Sequence, residues 1–181
     1  PDTSIITGRT IALMQEYKVE PENVLFDQGG GGREHVDRLH AQGHLVNSIL
    51  FGGVVSDEPT QFYRSWEERM DEHTAKYTYT DRRAQMYHLI RQRLEPIKRG
   101  DKLASDFGIP AEYVELRRQL APVPMDYDDK GRIRLIPKKR KPGTKSFDEL
   151  IGCSPDAADA LALAVFGLQP AKVGFTLEPL F

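Results

Sequence analysis

The sequence predicts a mixed α/β sheet with helices on both of its faces. Three observations carry this reading. Between residues 23 and 53 an apolar run, a helical stretch and a second apolar run follow one another. That order implies a parallel strand pair joined by a right-handed crossover helix. The stretch DRRAQMYHLIRQRL, residues 81–94, clusters Ala84, Tyr87, Leu89, Ile90 and Leu94 at helical spacing, with its arginines elsewhere. In PVPMDYDDKGRIRLIPKK, RIRLI alternates like a strand and Asp129-Lys130-Gly131 supplies the turn of a hairpin.

The elements follow in order. Residues 5–17 place Ile6, Thr10, Leu13, Met14 and Tyr17 on one helical face, with Gly8 as a weak point near the start. Pro21 ends the connection to NVLFD, residues 23–27, a short apolar run closing on an acid, as a buried strand does. QGGGG leads into the helix REHVDRLHAQG, closed by Gly43. LVNSILFGG, residues 45–53, is the second strand. Residues 54–80 are polar and irregular, with a short helix around Phe62–Glu72. Residues 111–120 read as a further helix. The last helix, 155–167, starts with Ser154 as N-cap and Pro155 at its first position. The chain reads as one domain over 1–181, with a core at 1–167 and a tail at 168–181. There is no internal repeat and no low-complexity tract.

A chain of 181 residues, 39% hydrophobic and 29% charged, can bury a sizeable core. The net charge of -2 points to no partner by itself, so any nucleic-acid surface must come from local clustering. The single cysteine, Cys153, excludes a disulfide framework or a cysteine-based zinc site within the chain, and a reducing, cytoplasmic compartment is the expectation. No apolar run approaches the roughly 20 residues of a membrane span. The chain opens without a signal-peptide pattern and without an initiator Met, as a fragment of a longer protein does.

Three features could carry chemistry. The first is Asp27 in LFDQGGGG. An acid at the C-terminal end of a parallel strand lies where open α/β sheets place their ligands. The alternative is a structural turn whose Asp caps the next helix. A dinucleotide fingerprint does not fit, because its last glycine would fall on Glu34 or His35, and the P-loop Lys-Ser/Thr is absent. The second is Asp156 with Asp159, three apart on one helical face. First-turn acids interact favourably with the helix dipole, which is reason enough for them to be there. Yet ALALAVF follows Asp159, so that acid faces protein, and clustered carboxylates need a neutralising cation. Oxygen donors of this kind select Mg²⁺ or Mn²⁺.

The third is residues 130–145, which hold Lys130, Arg132, Arg134, Lys138, Lys139, Arg140, Lys141 and Lys145 with no acid among them. A solvated hairpin is one reading. A phosphate-contacting strip beside an acid centre is the other. The histidines, His35, His40, His44, His73 and His88, make no H-E-x-x-H pattern and read as surface or core residues. Phe62, Tyr63 and Trp66 beside Arg64 could stack on bases, but a small local core under the loop accounts for them better.

Taken together in this order, FDQGGGG with VDRL, a strand ending FGG, DRRAQMY, GRIRLIPKK and SPDAADALALA resemble the nuclease domain of phage terminase large subunits, over about residues 2–167. The resemblance implies an RNase H-like fold and a metal-dependent endonuclease that cuts double-stranded viral DNA during packaging, with two Mg²⁺ or Mn²⁺ ions in an acid cluster. Asp27 matches the family's strand-end acid, Asp159 its acid on the C-terminal helix, and Asp156 a position where relatives carry an acid or a His. Lys138, Lys139, Arg140 and Lys141, with Arg132 and Arg134, would hold DNA. The implied partners are double-stranded DNA, a portal protein, a small terminase subunit and an ATPase domain of the same full-length chain, in the host cytoplasm.

The sequence departs from the family in three ways. The family's first acid lies on an N-terminal hairpin that this sequence lacks. Gln28 stands where relatives often carry an acid. Residues 54–80 are longer than usual, as a lid or a partner surface would be. No Walker A motif occurs. Two competing readings share the fold: a non-catalytic nucleic-acid or partner-binding module, and a junction-resolvase-type nuclease.

Overall fold

In the computed structural model, residues 3–55, 79–98, 107–121, 123, 125–137, 142–143 and 145–167 are described. Helix α1 spans Thr3–Tyr17. After a single 3₁₀ turn at Pro21–Asn23, strand β1 covers only Leu25–Asp27. Proline at the start of that turn fixes its backbone, so the strand opens later than the apolar run suggests. Helix α2 is Gly32–Ala41 and strand β2 is Asn47–Ile49. β1 and β2 pair in parallel, with Leu25 opposite Asn47 and Asp27 opposite Ile49, as the strand–helix–strand order implies. The expected strand over 45–53 shortens because the chain turns at Leu50, where the Gly53 amide donates to the Leu50 carbonyl.

Helix α3 is Arg82–Lys98, started by Asp81, whose carboxylate accepts from the Ala84 amide at 2.8 Å. Helix α4 is Val114–Leu120. The hairpin forms as expected: β3, Met125–Tyr127, pairs antiparallel with β4, Ile133–Leu135. Gly131 takes the left-handed backbone of the turn, at φ 74°. Tyr79 bridges to Ile133 in parallel, so the chain entering α3 flanks the hairpin. Among the described residues the strands thus make two separate two-stranded ladders.

Helix α5, Phe147–Ile151, was not expected from the sequence. Its signal is present, however. In SFDE the Ser146 hydroxyl accepts from the Glu149 amide, and the Glu149 carboxylate accepts from the Ser146 amide. Helix α6 is Asp156–Gly167. Pro155, not Ser154, occupies the cap position, since its carbonyl accepts the first helical bond, from the Asp159 amide at 2.8 Å.

The main core lies where α6 meets α3. Ala158, Ala162 and Val165 pack with Met86, Tyr87, Leu89 and Ile90, closed by Phe51, Phe147 and Ile151. Small residues on α6 let the two helices approach closely. A second core joins Met14 of α1 to Val36 and Leu39 of α2 and to Val46. The face expected for α1 is corrected here. Thr7 and Met14 are buried, whereas Ile6, Leu13 and Tyr17 are 45%, 36% and 67% exposed. Apolar residues surround α1 on more than one side, and α2 with β1 covers only the side of Thr7, Ile11 and Met14. Among the described residues no helix is long and apolar enough to cross a membrane. The tail and residues 56–78, including Phe62, Tyr63, Trp66 and the short helix expected around them, lie outside the described residues.

Candidate functional site

Asp27 ends β1, and its Oδ1 accepts two backbone hydrogen bonds, from the Gly29 and the Phe51 amides, each at 3.1 Å. One bond closes its own turn. The other ties it to the chain leaving β2. Its Oδ2 accepts none among the described residues. The glycines after it serve two different needs. Gly30 and Gly31 sit at φ 63° and 93°, in the left-handed region. Gly32 has ordinary helical backbone but no room: a Cβ there would lie 1.7 Å from the Asp27 carbonyl oxygen. Helix α2 therefore starts directly against the backbone that bears the acid.

Asp159 stands in the first turn of α6, and its side chain is 16% exposed. Its Oδ1 accepts from the Tyr87 hydroxyl at 2.6 Å. Burial, and then the Asp159 charge, push the Tyr87 hydroxyl far above its ordinary pKa, so it remains a donor. The Arg83 guanidinium lies 3.7 Å from the same Oδ1. Arg83 and Tyr87 are four apart on α3 and share its face toward α6. The sequence reading set the arginines of α3 away from its packed face. For Arg83 that is corrected, since its side chain is only 13% exposed.

The two acids are joined through two rings. The Phe51 amide holds Asp27, the Phe51 ring meets the Tyr87 ring edge-on at 6.4 Å, and the Tyr87 hydroxyl holds Asp159. Helix α6 also packs on β1, with Gly167 against Leu25.

Asp156 is exposed, and its Oδ1 accepts from the Ser154 hydroxyl at 2.6 Å. With Ser154 so engaged and Pro155 lacking a side-chain acceptor, the start of α6 is capped from another helix. The buried Gln119 of α4 accepts from the Ala158 amide at 3.0 Å. Arg132 donates to Asp128 from Nε at 2.8 Å, and Arg134 donates to Asp126 from Nη2 at 2.7 Å. Those hydrogen bonds hold both hairpin carboxyls below their usual range. Each arginine is thus matched by an acid of its own hairpin. Lys138, Lys139, Arg140 and Lys141 lie outside the described residues. His40 meets the Val46 carbonyl and His88 meets Tyr79, as core or surface histidines do.

The sequence reading missed Arg83, Tyr87 and Gln119 as residues that shape the site. Arg83 and Tyr87 could have been found from their i, i+4 spacing within RRAQMY. Nothing local marks Gln119. A cavity of about 420 Å³ between α3 and α4 touches Tyr87, Leu94 and Leu120, but neither acid.

Carboxylate oxygens suit a hard divalent ion in kind. In number they fall short: among the described residues no three His, Cys, Asp or Glu side chains gather closely enough to hold one.

No protein-family model matches the sequence, and no curated protein matches it. Solved structures do. The nuclease domain of the large terminase subunit gp2 of bacterial virus Sf6 superposes with a TM-score of 0.59 at 19% identity, over 88% of this chain and 70% of that one. A point mutant of that domain, with manganese and beta-thujaplicinol, gives 0.58 at 20% identity over the same shares. A mutant with calcium gives 0.56 at 19% identity, over 85% and 68%. The chain has the RNase H-like fold of these nuclease domains.

Proposed function

We propose that this chain is a single nuclease domain of a DNA-packaging terminase, acting on double-stranded DNA with divalent metal ions. The observation that carries the reading is the linked pair Asp27 and Asp159, on the strand end and the C-terminal helix of a terminase-nuclease fold. That manganese and calcium accompany the Sf6 domain adds weight to a divalent ion here. The chemistry that a pair of Mg²⁺ or Mn²⁺ ions supplies is a lowered pKa for the attacking water and neutralised charge on the leaving oxygen. Asp27 and Asp159 would be ligands, together with a donor beyond the described residues. The Phe51 amide and the Tyr87 hydroxyl hold the two carboxylates in fixed rotations, so their geometry is set before any ion arrives.

Asp156, one turn earlier and exposed, would orient a water or contribute a second ligand. Lys138, Lys139, Arg140 and Lys141 would take the phosphates without reading sequence. Arg132 and Arg134 would join them only by exchanging Asp128 and Asp126 for phosphate. The host cytoplasm is the location this activity requires.

The test is cleavage of plasmid DNA by the natural full-length protein. Cleavage is expected with Mn²⁺ or Mg²⁺ and is lost on chelation. Neutralising the four residues 138–141 together is expected to weaken DNA binding and to flatten its salt dependence by up to about four phosphate contacts. DNA binding without any metal-dependent cleavage overturns the nuclease reading.

A further inference from the structure

Arg83 lies nearly buried beside two aromatic rings and Asp159. Its guanidinium carbon lies 5.2 Å from the centres of both the Tyr87 and the Phe147 rings, which meet each other edge-on at 6.1 Å, so it packs over the corner the two rings make. Nη1 donates to the Ile136 carbonyl at 3.3 Å. Nε and Nη2 are buried and make no hydrogen bond among the described residues. A buried guanidinium with two unused donors is costly unless a negative charge compensates it. The charge it faces is Asp159, at 3.7 Å.

A divalent-ion site needs a cation beside Asp159. The molecule already supplies one. The geometry points to Arg83 as the resident counter-ion of Asp159: a positioning residue that neutralises the carboxylate in the ion-free protein, and against which a divalent ion must compete. This rests on the proposal that Asp159 is an ion ligand. Arg83 and Tyr87 act on the same oxygen, Oδ1, so together they set the rotation of the carboxylate. Removing the charge takes away what the guanidinium gives this carboxylate, and a divalent ion there no longer has to compete with it. The two rings make the pocket tolerant of an apolar replacement, since a methionine can pack against both.

The experiment is thermal melting of the purified chain across a Mn²⁺ titration, with Mn²⁺ alone as the probe. In Arg83→Met the half-saturating Mn²⁺ concentration is expected to fall about tenfold relative to wild type, because a like charge competing for the same carboxylate is gone. Arg83→Lys keeps the charge and is expected to stay close to wild type. Asp159→Asn removes the response in either background. If Arg83→Met does not fold, Arg83→Gln carries the same comparison. Half-saturation in the neutral variant equal to or above wild type overturns the inference. A wild type that cleaves DNA with no such difference in Mn²⁺ overturns the inference and leaves the nuclease reading standing. A tenfold difference in a protein that cleaves nothing does the reverse. Absence of a Mn²⁺ response in every variant overturns the inference and the ligand assignment together.

Discussion

Asp159→Asn is expected to reduce metal-dependent DNA cleavage by about 10³-fold or more, the scale of losing several kcal/mol of transition-state stabilisation. The amide is isosteric, and its oxygen can still accept from Tyr87, so the link through Phe51 to Asp27 persists. What disappears is the negative charge. The fold is expected to survive with a lower melting temperature, because Arg83 keeps its contacts with the two rings but loses its ion pair with Asp159. Asp27→Asn is expected to match it in activity. Asp156→Ala is expected to cost less than about tenfold, since that acid is exposed and bonded to Ser154 rather than to the packed face. The comparison is made by plasmid nicking with Mn²⁺, beside circular dichroism melts. Cleavage within tenfold of wild type in Asp159→Asn would remove this residue from the site.

Gly32→Ala is expected to destabilise the protein by about 4 kcal/mol or more, the upper range for single substitutions. The reason is space, not conformation. Gly32 has φ −59°, which alanine adopts freely. A methyl group there would meet the Asp27 carbonyl oxygen at 1.7 Å and its carbonyl carbon at 2.9 Å. Both partners are backbone, so no rotamer change relieves the clash, and α2 must move away from β1. That movement drags the acid, so activity is expected to fall further than the loss of folded protein accounts for. Gly31→Asn is the control. Nothing lies near its Cβ position, and asparagine tolerates the left-handed backbone at about 1 kcal/mol or less. Urea denaturation of both variants decides the matter. A Gly32→Ala protein within 1 kcal/mol of wild type would mean that β1 and α2 are not packed as described.

Much of this arrangement can be read in the sequence, because its local signals agree with the fold. Apolar runs flanking a helical stretch foretold a parallel pair, and Asp129-Lys130-Gly131 foretold the hairpin turn. The acids stood out by position: one closes a strand, and the other opens a helix of small apolar residues. The partners that hold them did not stand out. Tyr87 and Arg83 look like an ordinary packing residue and an ordinary solvated cation until α6 is laid on α3. The outer face of α1 misled for a related reason. Ile6, Leu13 and Tyr17 keep helical spacing with Met14, and only tertiary packing decides which stripe is covered. Arg132 and Arg134 read as free positive charge, because cross-hairpin and in-turn pairing with Asp126 and Asp128 depends on register.

Gln119 gives α6 a behaviour that helix ends seldom have. First-turn amides ordinarily exchange with solvent freely, for want of a helical acceptor. The Ala158 amide instead ends on a buried side chain of α4. Its exchange is therefore governed by separation of α4 from α6 rather than by fraying of α6 itself. Deuterium uptake at Ala158 is expected to be slow, to track the opening of α4, and to become rapid in Gln119→Leu. The turn that carries Asp159 thereby keeps time with the motion of α4.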